Sequence, residues 1–364
     1  MHLNLNDVSS GAEETRRLER YLVSQGADPD ELREAIETGT RGPLALELAL
    51  RSPGERVPFE QAVEQAGVDP GEAGALWRAL GFPDPLRSSP SLTRSQIEAL
   101  QILAEMGRQL GQDTTLQLAR VIGGSVASIA EALVDAFRLK VEMPRRTAGE
   151  PYAEIVEDYA GVASVAIPAL GQAVTDALCM HMVAVSRSAW GMDAAQATVT
   201  RERTVGFADL VGYTASARAA APAELASTIG RFESCVAEVV ERFGGRIVKL
   251  IGDEAMFVVS DPVAACELAL DLQRTLVRDP QLPAARMGLA GGPVVSHRGD
   301  YYGDVVNLAA RLVKAAEPGE VLVSEALAGS RPGAPGLRFE PVELPLMKGY
   351  DSPVGAYRLG SAPL

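Results

Sequence analysis

The stretch KLIGDEAMF, residues 249–257, places apolar residues on both sides of a Gly-Asp pair. This pattern predicts a tight β-hairpin that turns at Gly252-Asp253. Because side chains alternate between the two faces of a strand, Lys249, Ile251 and Asp253 are expected on one face. The residues alone leave two interpretations open: a solvated surface ion pair, or a carboxylate at the hairpin tip that binds a cation.

Strands and helices alternate on both sides of the hairpin from residue 204 onward. We predict strands at 205–209, 246–251, 255–259, 286–290, 320–324, 338–344 and 355–359, and helices at 223–242, 261–278 and 307–316. The order strand–helix–strand–strand–helix–strand predicts a ferredoxin-like βαββαβ core. With its C-terminal extension, this core makes residues 204–364 an α+β domain.

A second carboxylate occurs in FADLVGYT, residues 207–214, where Asp209 ends the first predicted strand. The predicted fold places this strand beside the hairpin, so Asp209 can meet Asp253. Two close carboxylates repel each other and favour a cation between them. Oxygen ligands without His or Cys suit Mg²⁺ or Mn²⁺. The alternative is that Asp209 caps the turn that follows it.

Two further motifs carry polar residues at suggestive positions. In GDYYGDVVNLAAR, residues 299–311, Asn307 and Arg311 are four apart and share one helix face. An amide beside a guanidinium suits phosphate and ribose oxygens, although such pairs are also common on surfaces. In LMKGY, residues 346–350, Lys348 lies at a glycine turn before the last strand.

The four motifs, the last of which extends to LMKGYDSPVGAYRL at residues 346–359, resemble the catalytic domain of class III nucleotide cyclases in order and spacing. The roles that this resemblance implies are metal binding, adenine selection, transition-state stabilisation and triphosphate binding. Asp209 and Asp253 match the metal-binding positions, and Lys249 and Asp300 match the positions that select adenine. Asn307 and Arg311 match the pair that stabilises the transition state, and Lys348 matches the lysine that binds the triphosphate. One departure is Gly291-Gly292-Pro293, where some family members carry an arginine that contacts phosphate.

The resemblance implies an adenylyl cyclase that converts ATP to cyclic AMP and pyrophosphate with two Mg²⁺ or Mn²⁺ ions at each site. It also implies a homodimer, since in this family the metal aspartates come from one chain and the other site residues from its partner. Guanylyl members carry other residue types at the adenine-selecting positions. The alternatives are a guanylyl cyclase, a diguanylate-type cyclase suggested by Gly252-Asp253-Glu254, and a catalytically silent dimeric sensor or DNA-binding regulator.

Residues 1–188 are predicted to form an all-α domain, followed by a linker at 189–203. Asp28, Thr93 and Asp113 are predicted helix caps. The segment resembles the autoinhibitory regulatory domain of soluble mycobacterial-type adenylyl cyclases, one of which senses pH. His181 is therefore a candidate pH sensor, with a satisfied histidine on a packed helix as the alternative. Related domains bind lipid, so a lipid or fatty acid is a candidate ligand.

Composition narrows the location and the partners. The formal charge is −14 over 364 residues, which disfavours nucleic acid and anionic membrane as partners. The N-terminus has no signal-peptide pattern. Residues 159–186 are the least polar run, and we predict a buried helix pair, broken or kinked at Pro168, rather than a membrane span. Three cysteines without a CxxC pair fit a reducing cytoplasm.

Overall fold

The computed structural model describes residues 5–51, 54, 56–88, 90–190, 200–213, 221–297, 299–330 and 336–362. The chain divides into two compact units, Met1–Gly191 and Met192–Leu364. Residues 191–199 of the predicted 189–203 linker lie outside the described residues, as do residues 1–4. The two ends of the predicted linker belong to regular elements, because a helix continues to Trp190 and a strand begins at Thr200.

The first unit is helical apart from one small sheet. Its helices are α1 (Leu5–Ser24), α2 (Pro29–Thr38), α3 (Arg41–Leu50), α4 (Phe59–Ala66), α5 (Pro70–Ala79), α6 (Pro85–Ser88), α7 (Arg94–Leu110), α8 (Gln112–Phe137), α9 (Met143–Thr147) and α10 (Tyr152–Trp190). A π-helical turn, Arg138–Glu142, joins α8 to α9. The strands β1 (Val57–Pro58) and β2 (Ser91–Leu92) pair antiparallel, so the predicted all-α domain contains a two-stranded ladder.

The predicted helix caps are confirmed at two of the three positions. Asp28 accepts hydrogen bonds from two backbone N–H groups of α2, and Glu31 completes the capping box. Thr93 begins α7 with the same kind of box. The prediction at Asp113 is wrong, because α8 begins at Gln112 and Asp113 lies inside its first turn. An acidic residue there still favours the positive end of the helix dipole.

The helices of this unit pack around two separate apolar cores. One joins α1 and α3 to the start of α10, and the other joins α4, α5 and α7 to the start of α8. Gly123 of α8 is buried where this helix crosses the end of α5. A Cβ at this position would lie 2.4 Å from the carbonyl oxygen of Leu80, so only glycine allows the two backbones to approach.

The prediction of a buried, broken helix pair at residues 159–186 is wrong. Helix α10 is continuous over 39 residues and runs through Pro168, although this residue lacks an N–H donor and its ring crowds the carbonyl one turn earlier. Many of its apolar side chains are exposed, including Val165, Leu178 and Met182. Two helical segments, Gln112–Thr147 and Tyr152–Ser186, are long and apolar enough to cross a membrane by length and composition alone, which is weak evidence. The absence of a membrane span stays a prediction.

The second unit is built on one mixed sheet. Its strands are β3 (Thr200–Leu210), β4 (Arg246–Ile251), β5 (Glu254–Val259), β6 (Ala285–His297), β7 (Asp300–Tyr302), β8 (Val321–Ser324), β9 (Leu337–Val342) and β10 (Ala356–Ser361). Its helices are α11 (Pro222–Arg242), α12 (Pro262–Arg278), α13 (Asp304–Ala315) and α14 (Glu325–Gly329). The sheet order is β4-β5-β3-β6-β8-β10-β9, and β7 pairs with β6.

This topology confirms the predicted fold class. In the order β4-β5-β3-β6, each strand is antiparallel to its neighbour, and this is the order of a ferredoxin-like core. β8 then joins β6 in parallel, and β10 and β9 complete the C-terminal extension. The sequence pattern predicts that β6 ends at residue 290, just before Gly291-Gly292-Pro293. In the structure these three residues continue the ladder with β3.

The two faces of the sheet are covered by different helices. Helices α11 and α12 pack on one face over the larger core. Helix α13 packs on the other face, where Gly288 of β6 allows close approach: a Cβ there would lie 2.1 Å from the backbone nitrogen of Val313. Val205 and Phe207 of β3 contribute to this second core. Because strand side chains alternate, Asp209 lies on the face that α13 covers.

Candidate active site

The hairpin tip brings the two predicted metal aspartates to the same place. Gly252 has a φ of 62°, the left-handed conformation that such a two-residue turn requires. Asp209 pairs with Glu254 in the β3–β5 ladder. The backbone N–H of Leu210 donates to the carbonyl oxygen of Asp253 over 3.1 Å, so the end of β3 is fastened to the turn. The structure therefore places Asp209 and Asp253 side by side, as the predicted fold requires.

Asp253 lies in the turn between β4 and β5. It therefore does not continue the alternation of Lys249 and Ile251 along one face of β4. A bulge between Ile247 and Lys249 shifts the register of β4, after which Lys249 pairs with Met256. In the described part of the chain, no ion pair joins Lys249 to Asp253. The interpretation of the hairpin as a local surface ion pair is therefore not supported.

Asp209 has a partner that the sequence analysis missed. Arg286, at the start of β6, faces Asp209 across the ladder. Its Nε and Nη2 both donate to Oδ2 of Asp209, over 2.9 and 2.7 Å. The signal that could have found this contact is the antiparallel register, in which the beginning of β6 must lie opposite the end of β3.

The surroundings of the tip carry several acidic groups. The pKa of Glu254 is raised above its usual value, mainly by burial. The charge of Lys314 opposes this increase, and the carboxylates of Asp209 and Asp253 add to it. The charge of Asp253 also acts on Tyr213. The pKa of this phenol is raised mainly by burial and further by the Asp253 carboxylate. The tip is thus a region of concentrated negative charge that favours a cation.

The donor set fits a hard divalent cation. Within the described residues no group of three or more His, Cys, Asp or Glu side chains is arranged to hold a metal ion. Two aspartates on adjacent elements are nevertheless suitable for Mg²⁺ or Mn²⁺, which keep water and substrate phosphate among their ligands. Of the two carboxylate oxygens of Asp209, only Oδ2 accepts hydrogen bonds from the described residues, so Oδ1 remains available to a cation.

Lys249 and Asp300 form the pair that the resemblance implies for adenine selection. The Lys249 Nζ lies 2.7 Å from Oδ2 of Asp300, and both side chains are half-buried. The backbone N–H of Tyr301 donates to the other oxygen of Asp300 over 2.8 Å. Partial burial alone would raise the pKa of Asp300, but the hydrogen bonds from Lys249 and from the Tyr301 backbone lower it below its usual value. The pair is therefore a fixed donor and acceptor at the sheet surface.

Asn307 and Arg311 lie on α13, and the C-terminal loop reaches Arg311. The guanidinium of Arg311 lies over the Tyr350 ring, 5.0 Å from its centroid. Gly349 packs against it closely, since a Cβ there would be 3.3 Å from Nη2. The loop thus brings Lys348 near Arg311, while Asn307 and Lys348 are both exposed. Sequence reasoning missed Tyr350 as the platform for the arginine.

Arg311 retains unused hydrogen-bonding capacity. Its Nη1 is buried and has no hydrogen-bond partner among the described residues. A buried guanidinium nitrogen without an acceptor is unfavourable unless a ligand supplies one. This orphaned donor fits a site for phosphate oxygens.

Among the described residues, no hydrogen bond or ion pair joins the Asp209–Asp253 tip to Asn307, Arg311 or Lys348. His181, the candidate pH sensor, is exposed on α10 and belongs to the other unit. The packed histidine considered as its alternative is therefore not found in the described chain.

Comparison with known proteins identifies the family. The family described as "Adenylate and Guanylate cyclase catalytic domain" matches residues 195–355. An adenylate cyclase of Streptomyces coelicolor is 32% identical over 331 residues, which cover 90% of this chain and 83% of the relative. The pH-sensitive adenylate cyclase of Mycobacterium tuberculosis is 29% identical over 356 residues, which cover 92% of this chain and 86% of the relative.

Among solved structures, the adenylyl cyclase CyaB from P. aeruginosa has 23% sequence identity and a TM-score of 0.40, covering 45% of this chain and 96% of that chain. The identity to the Streptomyces coelicolor enzyme extends over both units of the chain, and not only over the catalytic domain. The chain therefore belongs to the class III adenylate cyclase family.

Proposed function

We propose that this protein is an adenylate cyclase that converts ATP to 3′,5′-cyclic AMP and pyrophosphate. The observation that carries the choice of ATP is the contact of 2.7 Å between Lys249 and Asp300. An ammonium group can donate to N1 of adenine, and a carboxylate can accept from the exocyclic amine. The residue types match adenylyl members of the family and differ from those of guanylyl members.

Asp209 and Asp253 would hold two Mg²⁺ or Mn²⁺ ions, which when bound activate the ribose 3′-hydroxyl and neutralise the β- and γ-phosphates. The 3′-oxygen forms a bond to the α-phosphorus, the bond to the bridging oxygen of pyrophosphate breaks, and the 3′-hydroxyl proton is released. No nucleophile from the protein is needed.

The remaining residues bind and orient the triphosphate. The free Nη1 of Arg311 donates to phosphate oxygens as charge develops at the α-phosphorus, where preorganised donors are most effective. Asn307, one turn earlier on the same helix face, orients the ribose or phosphate through its amide. Lys348 neutralises the terminal phosphates as an exposed, mobile point charge.

We further propose a homodimer with two shared sites. Among the described residues, no hydrogen bond or ion pair joins the metal aspartates to Arg311 or Lys348, which is consistent with sites that a partner chain completes. The exposed apolar side chains of α8 and α10 support a dimeric, regulatory role for the helical unit, since surfaces of this kind mark interaction sites. A lipid or fatty-acid ligand and a cytoplasmic location remain predictions.

The substrate choice is tested by comparing ATP with GTP. We expect the purified protein with Mn²⁺ to form cyclic AMP, with kcat/KM for GTP lower by about tenfold or more, because unmatched polar groups on a base are costly to bury. Asp300→Asn is expected to raise KM for ATP and to reduce the ratio of kcat/KM for ATP to kcat/KM for GTP. Glu241→Gln, an exposed change on α11, is the control.

A preference for GTP would favour the guanylyl alternative. Formation of a cyclic dinucleotide from GTP would favour the diguanylate alternative, and no product from either nucleotide would favour the silent sensor.

His181 is the proposed sensor of pH in the regulatory unit. A positive charge on the imidazole would lie at an exposed position on α10 and shift the equilibrium between inhibited and active dimers. We therefore expect His181→Ala to change the dependence of cyclase activity on pH between about pH 6 and pH 8. The control is His297→Ala on β6 in the catalytic unit. An activity profile identical to that of the wild type would rule out this role for His181.

A further inference from the structure

The hairpin tip contains more acidic groups than the two metal aspartates. Asp209, Asp253 and Glu254 lie close enough for their charges to interact, and Lys314 and Arg286 are cations whose charges act on Glu254. A cluster of carboxylates with little access to water is unfavourable without compensating positive charge. The structure therefore raises the question of which group supplies that charge before a metal ion is present.

Arg286 is the cation in direct contact with the cluster. Two of its nitrogens donate to Oδ2 of Asp209, over 2.9 and 2.7 Å. The side chains of Arg286 and Asp209 are only 28% and 13% exposed, so water screens the pair weakly. Both donors bind the same oxygen of Asp209, Oδ2. While Arg286 is bound there, this oxygen is not available to a metal ion.

Arg286 also has a second anchor. Its Nη1 lies 3.4 Å from the carbonyl oxygen of Lys314, in the last turn of α13. A carbonyl at the C-terminal end of a helix is an acceptor that favours a cation. The guanidinium can therefore leave Asp209 and still keep a favourable partner.

We propose that Arg286 is a placeholder cation: it neutralises Asp209 in the metal-free protein and gives up Oδ2 when metal ions bind. The inference rests on the proposed function, in which Asp209 and Asp253 hold two divalent ions. Divalent ions held by Asp209 would compete with Arg286 for Oδ2 and would supply the positive charge that Arg286 provides in their absence. Metal binding then includes the free-energy cost of breaking the ion pair between Arg286 and Asp209.

Removing the placeholder should tighten metal binding. Mn²⁺ titration of the full-length protein without nucleotide, followed by calorimetry or by electron paramagnetic resonance, measures this directly. We expect Arg286→Gln to lower the Kd for Mn²⁺ by about three- to tenfold, because the ion no longer displaces a charged partner. The metal-free variant should also melt at a lower temperature than the wild type, and Mn²⁺ should raise its Tm by a larger increment.

Two further variants make the test specific. Arg286→Lys keeps the charge but cannot reach Asp209 and the Lys314 carbonyl together, so its Kd should fall between those of the wild type and Arg286→Gln. Arg242→Gln is the matched control: this arginine is exposed on α11 and pairs with Asp271 and Glu238. Its Kd for Mn²⁺ should equal that of the wild type.

An Arg286→Gln or Arg286→Lys protein that binds Mn²⁺ as weakly as the wild type, or more weakly, would overturn the proposal and indicate that Arg286 positions Asp209 for the metal. Failure of the proposed function looks different. In that case Asp209→Asn and Asp253→Asn in the wild-type background would leave Mn²⁺ affinity unchanged.

Discussion

Replacing Asp253 by asparagine is expected to lower kcat for cyclic AMP formation by about 100-fold or more, because a neutral amide holds divalent cations far less well than a carboxylate. The substitution preserves size and shape, so the turn at Gly252 should be retained. The backbone carbonyl of Asp253 that accepts from Leu210 is also unaffected. The measurement is steady-state kinetics with ATP over a range of Mn²⁺ and Mg²⁺ concentrations.

The matched control is Asp261→Asn, in the same unit. Asp261 is the N-cap of α12, where its side chain accepts from the backbone N–H of Val263. Asparagine is an equally good cap, so activity should remain close to that of the wild type. Undiminished product from Asp253→Asn would remove the basis for the metal assignment and would leave the silent sensor or another chemistry as the better interpretation.

Mixing two inactive variants is expected to restore activity if each site is shared by two chains. Asp253→Asn removes a metal ligand, and Arg311→Ala removes the phosphate donor, so each homodimer has two damaged sites. A heterodimer carries both defects in one site and none in the other. With equimolar chains and random exchange, about half of the dimers are heterodimers, so activity should recover to about a quarter of the wild-type value.

The control for this experiment pairs two lesions on the same side of the site. Asp209→Asn mixed with Asp253→Asn leaves a damaged metal position in every site, so no recovery is expected. Subunit exchange is verified by co-purification of two differently tagged chains. If exchange is complete and the Asp253→Asn and Arg311→Ala mixture stays inactive, each chain holds its own site and the shared arrangement is wrong. Asn307→Ala replaces Arg311→Ala should the latter fail to fold.

The sequence predicted most of the catalytic unit because its signals are local. The Gly-Asp turn, the period-two strands and the helix starts each depend on a few neighbouring residues. The predictions failed where distant contacts decide the outcome. β6 continues through Gly291-Gly292-Pro293 because β3 holds it in the ladder. Helix α10 is a different case, since Pro168 removes one hydrogen bond and crowds the preceding turn, but both effects are local within a 39-residue helix.

The site shows the same division. The residue types and their order pointed to Asp209, Asp253, Lys249, Asp300, Asn307, Arg311 and Lys348 through family resemblance. The structure brings Lys249 to Asp300, Asp209 to the hairpin turn, and the Lys348 loop to Arg311. The roles of these residues remain proposals until the variants are measured.

The sequence by itself determined that the KLIGDEAMF stretch forms a hairpin and that the chain resembles a cyclase, because both follow from short patterns. Only the tertiary structure decided what each charged group at the hairpin contacts. Lys249 pairs with Asp300, 51 positions away, and Asp209 pairs with Arg286, 77 positions away. Such pairs depend on strand register and on which sheet face each side chain occupies, and these become defined only when the strands have assembled.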